Sequence, residues 1–130
     1  PLVIKALDTL YLFWLAQREG KALSDLDVIG ANKWSPAAID ADSWRRIRDR
    51  LSEVNILKRS DRGHYLLSRD LHTVSLADLA SILRAEPAYQ ISAAALPWQR
   101  SAATLLASQR EREAQHLATP LAILFASPDA

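Results

Sequence analysis

The run "LKRSDRGHYLLSRDLHTVSLADLASIL", residues 57–83, leaves the chain few folds to choose from. Two short β-type runs, "ILKRS" and "HYLLS", flank "DRG", and Gly63 supplies the positive φ that a tight turn needs. Strands joined this closely predict a hairpin. Directly after it, Ser75 and Asp78 stand at capping-box spacing, with Asp in place of the usual Glu or Gln. Leu76, Leu79, Ala80 and Leu83 then form the apolar stripe of a helix that stops before Pro87.

The elements upstream can be read in the same way. "PLVIKALDTLYLFWLAQREG" carries Val3, Leu7, Leu10 and Trp14 at helical spacing, with Ile4, Tyr11 and Leu15 widening the stripe. This predicts a helix of about five turns, opened by Pro1, closed by Gly20, and placed centrally in the core. Ser24 is expected to cap a short helix carrying Leu26 and Ile29, and Pro36 marks a loop. Asp42 is expected to cap "SWRRIRDRLSEVN", in which Trp44, Ile47, Leu51 and Val54 face inward and Asn55 ends the helix.

Helix, short helix, amphipathic helix, hairpin, helix is the order of a winged helix-turn-helix domain. The predicted class is therefore mainly α with one small β-hairpin: a winged-helix-like domain over 1–86 and a C-terminal helical extension over 87–130 packed on it. In that extension Pro97 opens a helix to about Leu117, and Pro120 opens a last apolar turn, "LAILF", expected to dock on the body. With 130 residues, such a fold can bury a real core without staples, and there are no cysteines to supply any.

Charge narrows the partner classes. Sixteen basic against fifteen acidic residues leave a net charge of +1, so no global field draws the chain to nucleic acid or membrane. Locally the balance differs. Arg45, Arg46, Arg48 and Arg50 on the amphipathic helix and Lys58, Arg59 and Arg62 at the hairpin are the candidate contacts to nucleic acid or another partner. Between residues 45 and 70, eight basic groups, Arg69 included, oppose four acidic ones. Arginine's planar fork suits phosphate oxygens and guanine edges. The same residues also fit a solvated face in which Arg45 pairs with Asp49 across one turn. No outward Asn or Gln is available to read adenine, so sequence-specific readout is not favoured.

Catalysis finds no constellation. His64, His72 and His116 never stand at metal-ligand spacing, and Asp25 and Asp42 are accounted for by helix starts. There is no phosphate loop or nucleophile elbow, and three glycines leave little room for one. The chain is read as a non-enzyme with no catalytic residue, no metal and no cofactor. Of the four tryptophans, Trp14 and Trp44 are expected on inward stripes and Trp34 in a loop.

"GHYLLSRDLHTVSLADLASIL" resembles a stretch in the C-terminal region of the YihY/BrkB family of bacterial inner-membrane proteins, often labelled ribonuclease BN-like. "LDTLYLFWLAQREGKALS" and "REAQHLATPLAILFA" are similar to that family as well. A related wing-then-helix phrase occurs in Rrf2-type winged-helix regulators, which would add a cysteine cluster or a long dimerisation helix after the wing. The family resemblance implies a cytoplasmic domain on the inner membrane, attached to an absent bundle of about six transmembrane helices that would be its first partner. Together with the element order and the lack of a catalytic constellation, this leads to an expected role in regulation or protein contact, including contact with a second copy. Its ribonuclease and virulence-factor labels point to no residue here. The longest strongly apolar run, "LYLFWLA", is far below the roughly 20 residues of a membrane-spanning helix. With its abrupt start at Pro1 and no methionine, the chain reads as a piece of a longer protein.

Overall fold

The computed structural model describes residues 2–30, 39–84 and 96–126. The elements run α1 (Leu2–Arg18), α2 (Asp25–Val28), α3 (Ala41–Glu53), β1 (Leu57–Arg59), β2 (Tyr65–Leu67), a 3-10 turn (Leu71–Thr73), α4 (Leu76–Leu83), α5 (Pro97–His116) and α6 (Leu121–Phe125). This is the predicted class, mainly helical with one antiparallel hairpin, and its order is that of a winged helix. Trp34 and the boundary expected at 86/87 lie outside the described residues.

Local rules account for most element ends. The Ser75 hydroxyl accepts from the Asp78 N–H at 3.0 Å while the Asp78 carboxylate accepts from the Ser75 N–H at 3.0 Å, so the capping box is complete. Asn55 takes φ 60° just past α3. There its N–H donates to Ser52 O at 3.1 Å and the Ile56 N–H to Leu51 O at 2.9 Å, the paired bonds that terminate a helix through a left-handed residue. Gly63 turns the hairpin with φ +79°, and a side chain there would also meet the Arg59 guanidinium at 3.3 Å.

The cap of α3 differs from expectation. Asp40, not Asp42, receives the Ser43 N–H at 2.9 Å, and Lys5 of α1 donates to the same carboxylate at 3.1 Å. Asp42 sits inside the first turn, where its charge pairs with Arg45 instead. The Ser43 hydroxyl, the Ser43 N–H and Lys5 together hold the Asp40 carboxyl well below its ordinary 3.8. Because its folded pKa is depressed, the stabilisation is complete above the unfolded-chain value and is lost as pH falls through the acid range below it. Urea midpoints taken from about pH 5 down to about pH 2 should therefore decline, and Asp40→Asn should flatten part of that decline. An unchanged acid limb in Asp40→Asn would count against this role.

The core is built where α1, α3, the hairpin and α4 meet. Trp44, Ile47 and Leu51 of α3 are buried, as their spacing predicts, against Leu10 and Phe13 of α1, Tyr65 and Leu67 of β2, and Leu79 and Leu83 of α4. β1 and β2 pair with Leu57 opposite Leu67 and Arg59 opposite Tyr65. This register turns Tyr65 and Leu67 inward and leaves Leu66 outside. Leu23 adds a third strand position: its N–H donates to Tyr65 O at 2.9 Å, and its carbonyl O accepts from the Tyr65 N–H at 2.7 Å.

Two apolar stripes are oriented differently from the sequence reading. On α1 the buried residues are Ala6, Thr9, Leu10, Leu12, Phe13 and Ala16. Val3, Leu7 and Trp14 are only half-buried, and Ile4 and Tyr11 are exposed. On α2, Leu26 is 80% exposed and Val28 carries the core contact.

The C-terminal segment is wired into the body through the start of α4. The Leu76 and Ala77 N–H groups, which a helix start leaves without intrahelical partners, donate to Thr119 O at 3.1 Å and Leu117 O at 2.9 Å. The Leu121 N–H returns to Val74 O at 2.8 Å, and Leu121 and Ala122 are buried. The 20-residue α5 has no buried residue; Arg84 of α4 pairs with its Glu113 at 2.9 Å.

Candidate partner interface on the third helix and the wing

The seven candidate basic residues divide among separate environments. On α3, Arg45 and Arg48 lie three residues apart on one side, and Arg46 and Arg50 lie four apart on another. Arg45 donates to Asp42 at 2.6 Å, with both side chains largely in solvent. It does not take the expected partner Asp49, because Asp42 one turn earlier is already within reach.

Arg48 is drawn inward. Its side chain is 26% exposed, donates through Nε to Asp49 at 3.1 Å and lies 3.5 Å from Asp25. Partial burial works against its charge, but the Asp49 hydrogen bond and the nearby negative groups outweigh it, so the guanidinium remains fully charged. The Asp25 carboxylate also accepts from Trp44 Nε1 at 2.6 Å. Asp25 thus fastens α2 to α3 through a buried indole and a half-buried arginine, while Ser24 does the capping. Asp25 does open α2, as its place in the sequence predicts, but no local pattern links residues nineteen apart.

Arg46 and Arg50 border a shallow groove with Leu2, Asp49, Glu53 and Leu83. Lys58 and Arg62 project from the hairpin, and Arg59 lies back over the Gly63 turn. Among the described residues, Arg46, Arg50, Lys58, Arg59 and Arg62 have no carboxylate within ion-pair distance. Asp25 and Asp42, from outside the window 45–70, reduce its local excess from +4 to +2. What is left is a dispersed cationic surface on the helix and wing, not a converged pocket.

Among the described residues no three His, Asp or Glu side chains are grouped so as to hold a metal ion. His72 pairs with Asp70 at 2.8 Å on the surface, and the His72 N–H and ring lower the Asp70 carboxyl. That pair fixes the 3-10 turn: the Asp70 side chain also caps it through the His72 N–H at 2.9 Å.

No family model matches the chain. It is similar to a UPF0761 membrane protein of Alcanivorax borkumensis, 30% identical over 125 residues, which cover 93% of this chain and 28% of that relative. A UPF0761 membrane protein of Legionella pneumophila is 41% identical over 78 residues, covering 60% of this chain and 18% of the relative. One from Stenotrophomonas maltophilia is 39% identical over 67 residues. The chain thus spans less than a third of the length of these curated relatives. No described helix is long and apolar enough to cross a membrane. Among solved structures, the oxidised form of Staphylococcus aureus CymR has a TM-score of 0.63 at 18% identity, covering 100% of this chain and 97% of that one. The Bacillus subtilis CymR (YrzC), a global cysteine regulator, has a TM-score of 0.57 at 17% identity, covering 96% and 95%. At such identities the likeness concerns the fold, that of winged-helix-like regulators.

Proposed function

We propose that this chain is a non-catalytic, cytoplasmic winged-helix domain of a multi-pass inner-membrane protein of the YihY/BrkB type, serving regulation or protein contact. The observation that carries the proposal is the homology. Nearly the whole chain aligns with a much longer protein named a membrane protein, yet no described helix is long and apolar enough to span a bilayer. The membrane part is therefore sought in the remainder of such a protein, which becomes the first partner of this domain. A fold that presents a helix and a wing, with cationic side chains spread over both, suits contact with a partner.

Topology tests the reading directly. These 130 residues hold no cysteine, so Arg62→Cys on the wing makes a label site unique within them, placed in a full-length protein whose other cysteines have been replaced. A membrane-impermeant maleimide should react only after the inner membrane is opened. Reaction in cells with an intact inner membrane would place the domain on the other side and end this proposal.

A second reading, nucleic-acid binding, is favoured by one combination: a fold like that of regulators, with Arg46, Arg50, Lys58, Arg59 and Arg62 lacking an ion-paired carboxylate among the described residues. The absence of cysteine still separates the chain from the Rrf2 pattern, whereas the length of α5 does not. If those five cations contact phosphates, log K should fall with log salt at a slope of about −4.5. Arg46→Ala together with Arg50→Ala should make the slope shallower by about 2. No duplex DNA or tRNA binding at about 50 mM salt would leave protein contact as the role of this surface.

A further inference from the structure

α1 is apolar around most of its circumference. From Leu2 to Arg18 its plainly polar residues are Lys5, Asp8, Thr9, Gln17 and Arg18, and a helix with so little polar surface is normally covered on all sides. The fully buried side bears Ala6, Thr9, Leu10, Leu12, Phe13 and Ala16, and Leu7 and Trp14 pack against the edge of that core. On the opposite side Ile4 is 54% and Tyr11 41% exposed, while Leu7, Trp14 and Leu15 are half-buried.

α6 completes this surface. Phe125 stands with its ring centroid 5.5 Å from Tyr11 and 5.9 Å from Trp14, and Tyr11 and Trp14 are 6.0 Å apart. The three rings are in mutual contact at the surface, and the Arg18 guanidinium lies 4.8 Å over Trp14. Leu124, 41% exposed, sits beside them in the chain.

We propose that this face of α1 and α6 rests in the interfacial zone of a phospholipid bilayer. The inference depends on the reading of the chain as part of a membrane protein, since that places a bilayer within reach of the same polypeptide. The chemistry of the face selects lipid over a second copy. Tyr and Trp combine an apolar body with a polar tip, which suits them to the headgroup level, and a nearby arginine can meet lipid phosphate. Branched aliphatic tips from Ile4 and Leu124 add apolar area of the kind that anchors a helix lying in that plane. Asp8, one turn from Ile4 on α1, stays hydrated at the rim, so contact is shallow, reaching the boundary of headgroups and acyl chains.

Cysteine scanning on this cysteine-free chain reads the contact position by position. Ile4→Cys, Leu124→Cys and, as a control on the wing, Arg62→Cys are labelled with an environment-sensitive dye and mixed with vesicles of phosphatidylcholine and phosphatidylglycerol. Far-UV circular dichroism confirms that each variant is folded. The expected result is a blue shift with quenching by lipid-borne quenchers at residues 4 and 124, none at residue 62, and loss of both on adding Tyr11→Asp. Two results would overturn it: no shift at either face position, or a shift without lipid that vanishes on dilution, which would assign the face to a second copy. The maleimide topology result is independent of both, so failure here removes the lipid contact and leaves the membrane-protein reading standing.

Discussion

Trp44→Ala should lower stability by about 3–5 kcal/mol, a large fraction of what a domain of this size possesses. Trp44 is 1% exposed and joins several elements at once. Its ring stacks on Phe13 of α1 at 5.8 Å and 22°, and meets the Tyr65 edge of β2 at 5.5 Å and 88°. Its Nε1–H reaches Asp25 of α2 at 2.6 Å. Truncation therefore opens a cavity and loosens the seam between helices and wing. Trp44→Phe keeps most of the ring area and releases the Asp25 carboxylate, which is half-exposed and can rehydrate, so its cost should be smaller, about 1–2 kcal/mol. Urea unfolding followed by circular dichroism measures both. A loss below about 1 kcal/mol for the alanine variant would show that this seam does not organise the fold.

The second large effect concerns the far end of the chain. Leu121 is fully buried although α6 has only five residues, and its N–H is bonded to Val74 beside the start of α4. Leu121→Ala is expected to cost about 2–5 kcal/mol, and Leu121→Asp more, because a carboxylate would be left in an apolar site with no partner. Leu105→Ala and Leu106→Ala provide the contrast. Both side chains are exposed on α5, at 68% and 51%, and each change should stay within about 0.5 kcal/mol. Such a pattern would make α6 part of one cooperative unit with α1 and α4. If Leu121→Asp merely removed some helical signal and left the main transition in place, the C-terminal segment would be an appendage, as a division at 86/87 proposes.

The elements legible in the sequence were those specified by short-range chemistry. Ser75 with Asp78, Gly63 in the turn, Asn55 after α3, and Trp44, Ile47 and Leu51 at helical spacing all appear where they were expected. Errors arose where a local signal admitted two answers. Asp40 and Asp42 are both acceptable caps, and the choice went to the one that Lys5, thirty-five residues away, could also reach. Arg45 could pair forward with Asp49 or back with Asp42, and took the latter. For the short β2 run no facing was read from the sequence, and the register opposite β1 decides it, with Tyr65 and Leu67 inward and Leu66 outside.

The candidate interface was legible only as a list of charges. Its arginines are a property of composition and helical spacing, but their availability is not. Asp25 lies in another helix, and only the packing of α2 against α3 lets it claim Arg48 and the Trp44 indole together. That contact turns one predicted surface contact into a structural member and leaves the others spread over helix and wing.

By itself the sequence determined the order of elements, the hairpin turn, the capped α4 and the amphipathic α3, because each follows from forces acting within a few residues. Tertiary structure decided which side of α1 is core. Apolar residues surround that helix, so their periodicity carries almost no phase, and the choice rests on which side chains fit against α3 and β2. Ala6, Leu10, Phe13 and Ala16 do so, which leaves Ile4, Tyr11 and Trp14 to form, with Phe125, a surface that helical spacing alone had assigned to the interior.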